Sequence, residues 1–420
     1  MQQKFFERPY IAFLPFLFLY LVLILVQNVD PLIGDEGRYL QFAGNLLNGF
    51  YSPPPPAINL WNGPGFPIYL LPFVAFALPH LVIKLFNAFL YYGVLILFYK
   101  TLSGFLNRKK AFYFSLLFAC YYMPYKSLPY ILSETLTIFL IAAITYCAFV
   151  YFSSPGKTIS RRYNLLLPIL LALLALTKVI FGPVYLAAAI VFLVLYLVTK
   201  NGMYKRSFLL VMYAMLFCAP YLLYTWSLTG KIFYWSNAGG KSLYWMSNPT
   251  NGEWGEWHND SLSSPVMNEN SLAKLNFNHR KDLDYVNQFT GAERDQKFKE
   301  LAIRNIREYP GKFFVNWLAN WSRMFFNYPV SYTPFRWSTL GNMVANIPAL
   351  ILLAYTALLT WRNKNNFPFA LKFLLCISGV YLMGSSFLSA YDRMFYILAP
   401  LLAAWICHSL AIFRTGKTEN

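Results

Sequence analysis

Apolar runs of near-bilayer length recur from one end of this 420-residue chain to the other. Only a helix or a closed barrel can satisfy its backbone polar groups inside lipid, so such runs commit the chain to a bundle of spanning helices. Hydrophobic residues make up 57% of the sequence and charged residues 12%, which excludes an ordinary soluble fold. The expected class is an all-α polytopic membrane protein of about ten transmembrane helices, with juxtamembrane helices and a mixed loop domain on the outer face. The spans are expected at Pro9 to Val29, 81 to 103, 111 to 126, 128 to 152, 163 to 178, 181 to 199, 207 to 228, 339 to 361, 367 to 388 and 394 to 413. The first is too long for a signal-peptide core and is read as a retained anchor.

Charge fixes the topology. Gly65 to Pro79 is apolar but only about half a bilayer long, the range of re-entrant segments. If it does not cross, the basic clusters Arg108-Lys109-Lys110, Lys157 with Arg161-Arg162, Lys200 with Lys205-Arg206, Arg362 with Lys364, and Arg414 with Lys417 all share the side of Lys4 and Arg8. That side is then the cytoplasm. The net charge of +18 therefore reflects topology, and no nucleic-acid module accompanies it. Three regions follow: a transmembrane core over 1–228 with a first outer loop at 30–80, an outer loop domain over 229–338, and C-terminal transmembrane helices over 339–420.

All five cysteines fall in apolar spans, so no disulfide framework is implied. The four histidines lack ligand spacing, and no Walker motif or Gly-rich dinucleotide turn occurs. No organic cofactor is called for; a divalent cation is the one candidate.

The acids are placed unusually. Asp35 and Glu36, in Gly34-Asp35-Glu36-Gly37-Arg38-Tyr39, follow the first span and open a short amphipathic helix carrying Tyr39, Phe42, Ala43, Leu46 and Leu47. On local pattern a helix cap with a first-turn acid accounts for the pair as well as chemistry does. Asp30, Glu134 and Asp392 also lie at or near the outer ends of spans. A carboxylate at the bilayer centre costs about 2.5 to 3.5 kcal/mol on insertion scales, so acids kept beside spans point to function. Ion pairing of Glu134 with Lys126 or Lys178 is the alternative. Lys178 and Arg393 are outward cations which, converging with Arg38, suit a phosphate or diphosphate; singly, each is also explained by snorkelling.

The outer loop domain opens on Tyr234-Trp235-Ser236-Asn237-Ala238-Gly239-Gly240 and continues through Trp245, Trp254 and Trp257. Planar apolar faces mixed with amides suit sugar rings, with Trp235 and Asn237 as candidate contacts, although interfacial anchoring explains such aromatics equally well. Two amphipathic helices follow, one carrying Phe298, Leu301, Ala302 and Ile306, the other Phe313, Phe314, Trp317, Leu318, Trp321 and Phe325 against the membrane.

Taken in order, these parts resemble the GT-C membrane glycosyltransferases, most nearly the bacterial relatives of protein O-mannosyltransferases and aminoarabinose-lipid A transferases. The likeness runs over nearly the whole chain. It is carried by the acidic pair after the first span, Asn62-Gly63-Pro64-Gly65-Phe66-Pro67, Ser133-Glu134, Leu176-Thr177-Lys178, Trp235 to Gly240, and Arg393 opening a late span.

The resemblance implies an inverting transfer from a polyprenyl-phosphate-linked sugar donor to a glycan, lipid or protein acceptor, in the bacterial cytoplasmic membrane with the site facing outward. Membrane lipids are expected partners and nucleic acid is not. Asp35 resembles the general base, with Glu36 orienting it. Lys178 matches a lysine that contacts the lipid phosphate, helped by Arg38 and Arg393, and Glu134 joins the binding set. One departure stands out: where aminoarabinose transferases carry Lys before the proline, this chain has Gly63, so that contact is missing or comes from Lys84. A glycan polymerase or ligase, or a non-enzymatic carrier or flippase of lipid-linked sugar, is the competing class.

Overall fold

The computed structural model describes residues 8–28, 31–153, 158–259, 262, 268–364 and 367–415. Asp30, Lys4, Lys157, Lys417 and Glu419 lie outside them. Every regular element among the described residues is helical. A turn at Pro9–Ala12 leads into α1 (Leu14–Val26). There follow α2 (Glu36–Leu47), α3 (Gly65–Ala75), α4 (His80–Ser103), α5 (Arg108–Ala119), α6 (Ser133–Ser153), α7 (Thr158–Thr177), α8 (Phe181–Thr199), α9 (Gly202–Phe217) and α10 (Ala219–Thr229). The loop domain holds α11 (Gly239–Met246), α12 (Glu269–Val286), α13 (Gly291–Glu308) and α14 (Pro310–Phe326); α15 (Trp337–Arg362), α16 (Phe369–Ser386) and α17 (Ala399–Thr415) complete the chain.

Six stretches among the described residues are long and apolar enough to cross a membrane: Pro9–Val26, α4, α6, α8, α15 and α16. The expected span at 207–228 is α9 and α10, bent by 51° at Cys218. Pro220 stands in the first turn of α10, where its missing N–H interrupts the helical ladder. The spans expected at 163–178 and 394–413 are shorter apolar helices, Arg162–Thr177 and Ala399–Ala411. The span expected at 111–126 is not one helix: α5 stops at Ala119 and a 3-10 turn, Met123–Ser127, follows with Pro124 in its first turn. Non-helical backbone beyond that turn is tolerated because the buried Asn87 amide of α4 donates to the carbonyls of Leu128 (3.0 Å) and Tyr130 (2.8 Å). α3 has 11 residues, about 16 Å, and is too short to cross.

One continuous apolar core joins residues of α1, α4, α6, α7, α8, α16 and α17. The loop domain has its own, with Tyr244, Trp245, Leu275, Leu283, Phe298 and Leu301. A third, small cluster seats α2 on α3 through Tyr39, Ala43, Phe66 and Leu70.

α14 turns its polar stripe inward. Asn316, Asn320 and Arg323 are buried while Phe314, Val315 and Leu318 are exposed, the reverse of a helix on a soluble core and the pattern of one lying against lipid. The buried amides and guanidinium donate to main-chain carbonyls. Asn320 reaches Ser386 (2.7 Å) and Leu388 (2.5 Å), and Arg323 reaches Ala390 (3.3 Å), Trp254 (3.0 Å) and Pro329 (3.1 Å). Ala390 N–H donates back to Asn320 (2.9 Å), and Ser389 donates to the carbonyls of Ser242 and Gly255. The segment 386–391, which delivers Arg393, is thus held from the loop domain.

Candidate active site

Asp35 occupies the first position before α2, after Gly34 with a positive φ of 59°. Its backbone is helical (φ −81°, ψ −10°) and its side chain makes no capping bond. A cap needs extended backbone to swing its oxygen over the first free N–H groups, so this conformation rules out the capping role. Both oxygens meet cations instead: Oδ1 the guanidinium of Arg38, and Oδ2 Nη1 of Arg393 at 3.9 Å.

Glu36 does something different. It is fully buried, Oε2 accepting from Ile33 N–H (2.8 Å) and Oε1 from Ile131 N–H (2.7 Å). It ties the start of α2 to the approach of α6. The expected orienting role toward Asp35 has no direct contact behind it; Glu36 fixes the scaffold on which Asp35 stands.

Glu134, second residue of α6, is also fully buried and accepts on Oε1 from Lys178 Nζ at 2.7 Å. The same oxygen lies 3.5 Å from Arg393 Nη1. Lys126, the other partner considered for Glu134, instead binds Asp392 (2.7 Å) and Asn342 (2.6 Å). The result is a chain of alternating charge, Lys178, Glu134, Arg393, Asp35, Arg38, with a cation at each end and one positive charge in excess. Asp35 and Arg393 are partly exposed within it; Glu134 is closed off.

Lys178 is placed by backbone packing. A Cβ at Gly63 would overlap the carbonyl oxygen of Leu176, and one at Gly65 would overlap Thr177. The first loop therefore lies directly on the end of α7. This explains the departure at position 63, where no side chain fits. Lys84 is buried in α4 and donates to Asn28 (3.1 Å).

Several contributors were hidden in the sequence. Tyr39 OH pairs with Ser133 Oγ (3.1 Å) and receives the Asn62 amide (3.1 Å). Burial, then the nearby charges of Glu134 and Asp35, push its phenol well above the usual range, so it keeps its proton as a donor. Trp61 receives the Arg38 guanidinium over its ring, 5.1 Å from the centroid. Arg38 Nε, Asn62 Oδ1 and Glu134 Oε2 are buried without a partner among the described residues, one donor and two acceptors around Asp35. Asn62 and Tyr39 stand inside the motifs that drew attention to the region, but nothing in their spacing marks them as partners.

Among the described residues, both loop-domain candidates have packing roles, and Asn237 also lines a polar cleft with Trp61. Trp235 is buried, its ring packed on Gly182, where a Cβ would overlap it, with its carbonyl accepting from Tyr221 (2.8 Å). Asn237 spends its side chain on the first loop, accepting from Leu60 N–H (3.1 Å) and donating to Ile58 (3.2 Å). For the divalent cation, no group of three or more His, Cys, Asp or Glu side chains that could hold a metal occurs among the described residues.

Beside the site an apolar cavity of about 520 Å³ lies between α4, α5, α15 and α17, lined by Phe118, Tyr121, Pro348, Tyr396, Leu402 and Ile406 among others. Its wall at Tyr396 is one helical turn from Arg393.

No family model matches this chain, and no curated protein matches it. Among solved structures it is similar to ArnT from Cupriavidus metallidurans, bound to undecaprenyl phosphate (13% identity, 98% of this chain and 79% of that one, TM-score 0.41) and in the apo state (12%, 96% and 78%, TM-score 0.41). A likeness this distant carries no argument about chemistry.

Proposed function

We propose that this protein is an inverting glycosyltransferase that moves a sugar from a polyprenyl-phosphate donor to an acceptor hydroxyl at the outer face of the bacterial cytoplasmic membrane, with Asp35 as the general base. The observation that carries this reading is the alternating charge chain. It ends in cations, carries net positive charge, and exposes one carboxylate between two guanidinium groups.

The excess cation suits a phosphate at the membrane surface. An arriving phosphate competes with Asp35 for Arg393 and Arg38, and each guanidinium drawn to it frees a carboxylate oxygen to meet the acceptor hydroxyl. Asp35 then accepts the proton of the acceptor hydroxyl as that oxygen forms its bond to the anomeric carbon. The bond from that carbon to the phosphate oxygen breaks on the opposite face, inverting the centre. The electron pair stays on the phosphate, where Arg393, Arg38 and Lys178 lower the cost of the developing charge. Glu134 keeps Lys178 and Arg393 at the right spacing. The donor's isoprenoid chain takes the apolar cavity whose wall begins one turn from Arg393.

The test is Asp35→Asn in purified protein supplied with a polyprenyl-phosphate sugar. Native mass spectrometry should show donor still bound while transfer is lost. Undiminished transfer would remove Asp35 as base, and a carrier that moves lipid-linked sugar without cleaving it would give no transfer even from the parent protein.

A further inference from the structure

Asp392 and Arg393 are neighbours in sequence with separate partners. Arg393 Nη1 faces Glu134 (3.5 Å) and Asp35 (3.9 Å), whereas Asp392 Oδ2 accepts from Lys126 Nζ at 2.7 Å. We propose that Lys126 is a positioning residue for the phosphate site: by anchoring Asp392 it sets the direction in which Arg393 points. This rests on the transferase reading above, in which Arg393 meets the donor phosphate.

The anchor is built from distant parts of the chain. Lys126 stands in the 3-10 turn Met123–Ser127, and its ammonium donates both to Asp392 and to Asn342 Oδ1 (2.6 Å). Asn342 and Asn346 are buried one turn apart near the start of α15. Their amides donate to the carbonyls of Phe326 (3.2 Å) and Phe325, the last residues of α14. With its nitrogen committed there, Asn342 presents its oxygen, and Lys126 supplies the donor. Tyr121 OH serves Asn346 Oδ1 in the same way (2.6 Å). On the other side of the turn, Ser127 Oγ pairs with Thr135 Oγ1 (3.2 Å), the residue after Glu134. Lys126 is thus fixed to α15 and to the start of α6, and it reaches Asp392 from that frame.

Asp392 has helical backbone (φ −54°, ψ −30°) and opens the four-residue helix Arg393–Tyr396. Successive side chains leave a helix about 100° apart, so 392 and 393 cannot turn to one partner, and the roll that satisfies the first aims the second. Phe395 and Tyr396 are buried and hold the far half of this single turn. Its near half carries the guanidinium, and there the ion pair with Lys126 sets the roll. Loss of that pair would swing Arg393 away from the phosphate while leaving every charge of the site in place.

The probe is undecaprenyl phosphate, titrated against the purified full chain in detergent and read by native mass spectrometry, which needs neither sugar nor acceptor. Lys126→Met should raise the dissociation constant about tenfold, whereas Lys126→Arg, which keeps a cation for Asp392, should stay within about threefold of the parent. Asp392→Ala reads the same anchor from its other end and should match Lys126→Met. In an Arg393→Gln background Lys126→Met should change nothing further, because its effect passes through a side chain already gone. A merely structural Lys126 would lower the melting temperature and leave the affinity of the folded protein alone; a direct phosphate contact would add its loss to that of Arg393→Gln. Undiminished affinity in Lys126→Met and Asp392→Ala, or additive losses with Arg393→Gln, would overturn the proposal. A parent that does not bind undecaprenyl phosphate would sink the phosphate site and this inference with it, whereas a binding parent indifferent to both anchor variants sinks only this one.

Discussion

Asp35 and Glu134 share one nitrogen of Arg393, which stands 3.9 Å from the first and 3.5 Å from the second. The two carboxylates stand on helices far apart in sequence and differ in access: Asp35 is partly exposed, Glu134 sealed beneath Lys178. Arg393 is the joint through which a ligand acting on one is felt by the other.

Substitutions at the acidic pair should therefore separate. Asp35→Asn is expected to purify normally, keep its melting temperature within a few degrees, and lose transfer by about 100-fold or more. Glu36→Gln should do the reverse, because it weakens a buried carboxylate that satisfies two backbone N–H groups. Its cost is about 1 to 3 kcal/mol of stability, with turnover per folded molecule changed only a few-fold. Thermal melts read beside initial rates distinguish the two, and a Glu36 variant that is stable but inactive would reverse the assignments.

Lys178→Ala should have two effects, since it removes the proposed phosphate contact and takes from the buried Glu134 carboxylate the nearer of its two cations. Breaking one partner of a buried pair costs about 3 to 5 kcal/mol, so this variant should be poorly stable. The double variant Lys178→Met with Glu134→Gln should recover most of that stability and still bind polyprenyl phosphate weakly. Recovery of donor affinity along with stability would take Lys178 out of the phosphate site.

The grip of α14 on the segment 386–391 predicts control at a distance. Asn320→Ala leaves the carbonyls of Ser386 and Leu388 without their donor and should lower both stability and turnover, although Asn320 touches no member of the charge chain. Native-state hydrogen exchange over residues 384–396 should rise in this variant. Unchanged protection there, with lost activity, would place the fault elsewhere.

The loop domain carries its own acid sensitivity. Burial alone would raise the Glu256 carboxyl, but the His258 imidazole, the Arg323 guanidinium and Ser331 N–H bring it down to about 2. A carboxyl lowered on folding stabilises the protein above its unfolded value, near 4.5, and that contribution is lost as pH falls toward 2. Melting temperatures of parent and Glu256→Gln should differ most at pH 7 and draw together only as pH falls to about 2. A gap that is constant with pH would show that Glu256 does not titrate on unfolding.

The sidedness of the site rests on the charge pattern of the loops. Single cysteines at Asn107 and Asn259, in a background without native cysteine, should label from opposite faces with an impermeant reagent. Labelling of both from outside would overturn the topology.

Apolar length and period made most of the bundle legible, and the acids and cations at helix ends announced Asp35, Glu134, Lys178 and Arg393. Those signals are one-dimensional, since a charge beside a span stands out whatever it touches. Pairing is not of that kind: nothing local tells Lys126 to take Asp392 and Lys178 to take Glu134, because the choice is made by packing between distant helices. Trp235 and Asn237 show the same limit. Their composition fits a sugar platform, but one ring is used to pack on Gly182 and the other amide to hold the first loop. The inward polar stripe of α14 was also unreadable, since its aromatic face was visible and the carbonyls that its amides serve lie in another part of the chain.

The seam of Gly63 and Gly65 against the end of α7 sets an order of assembly. The first loop is synthesised before α4, α5, α6 and α7, and the surface it must lie on does not exist until α7 is inserted. Until then the loop waits undocked beside a half-built bundle, and Asp35 waits with it. The charge chain also needs Arg393, which arrives later still, so the nascent protein carries no complete site. The charge chain is among the last features to form.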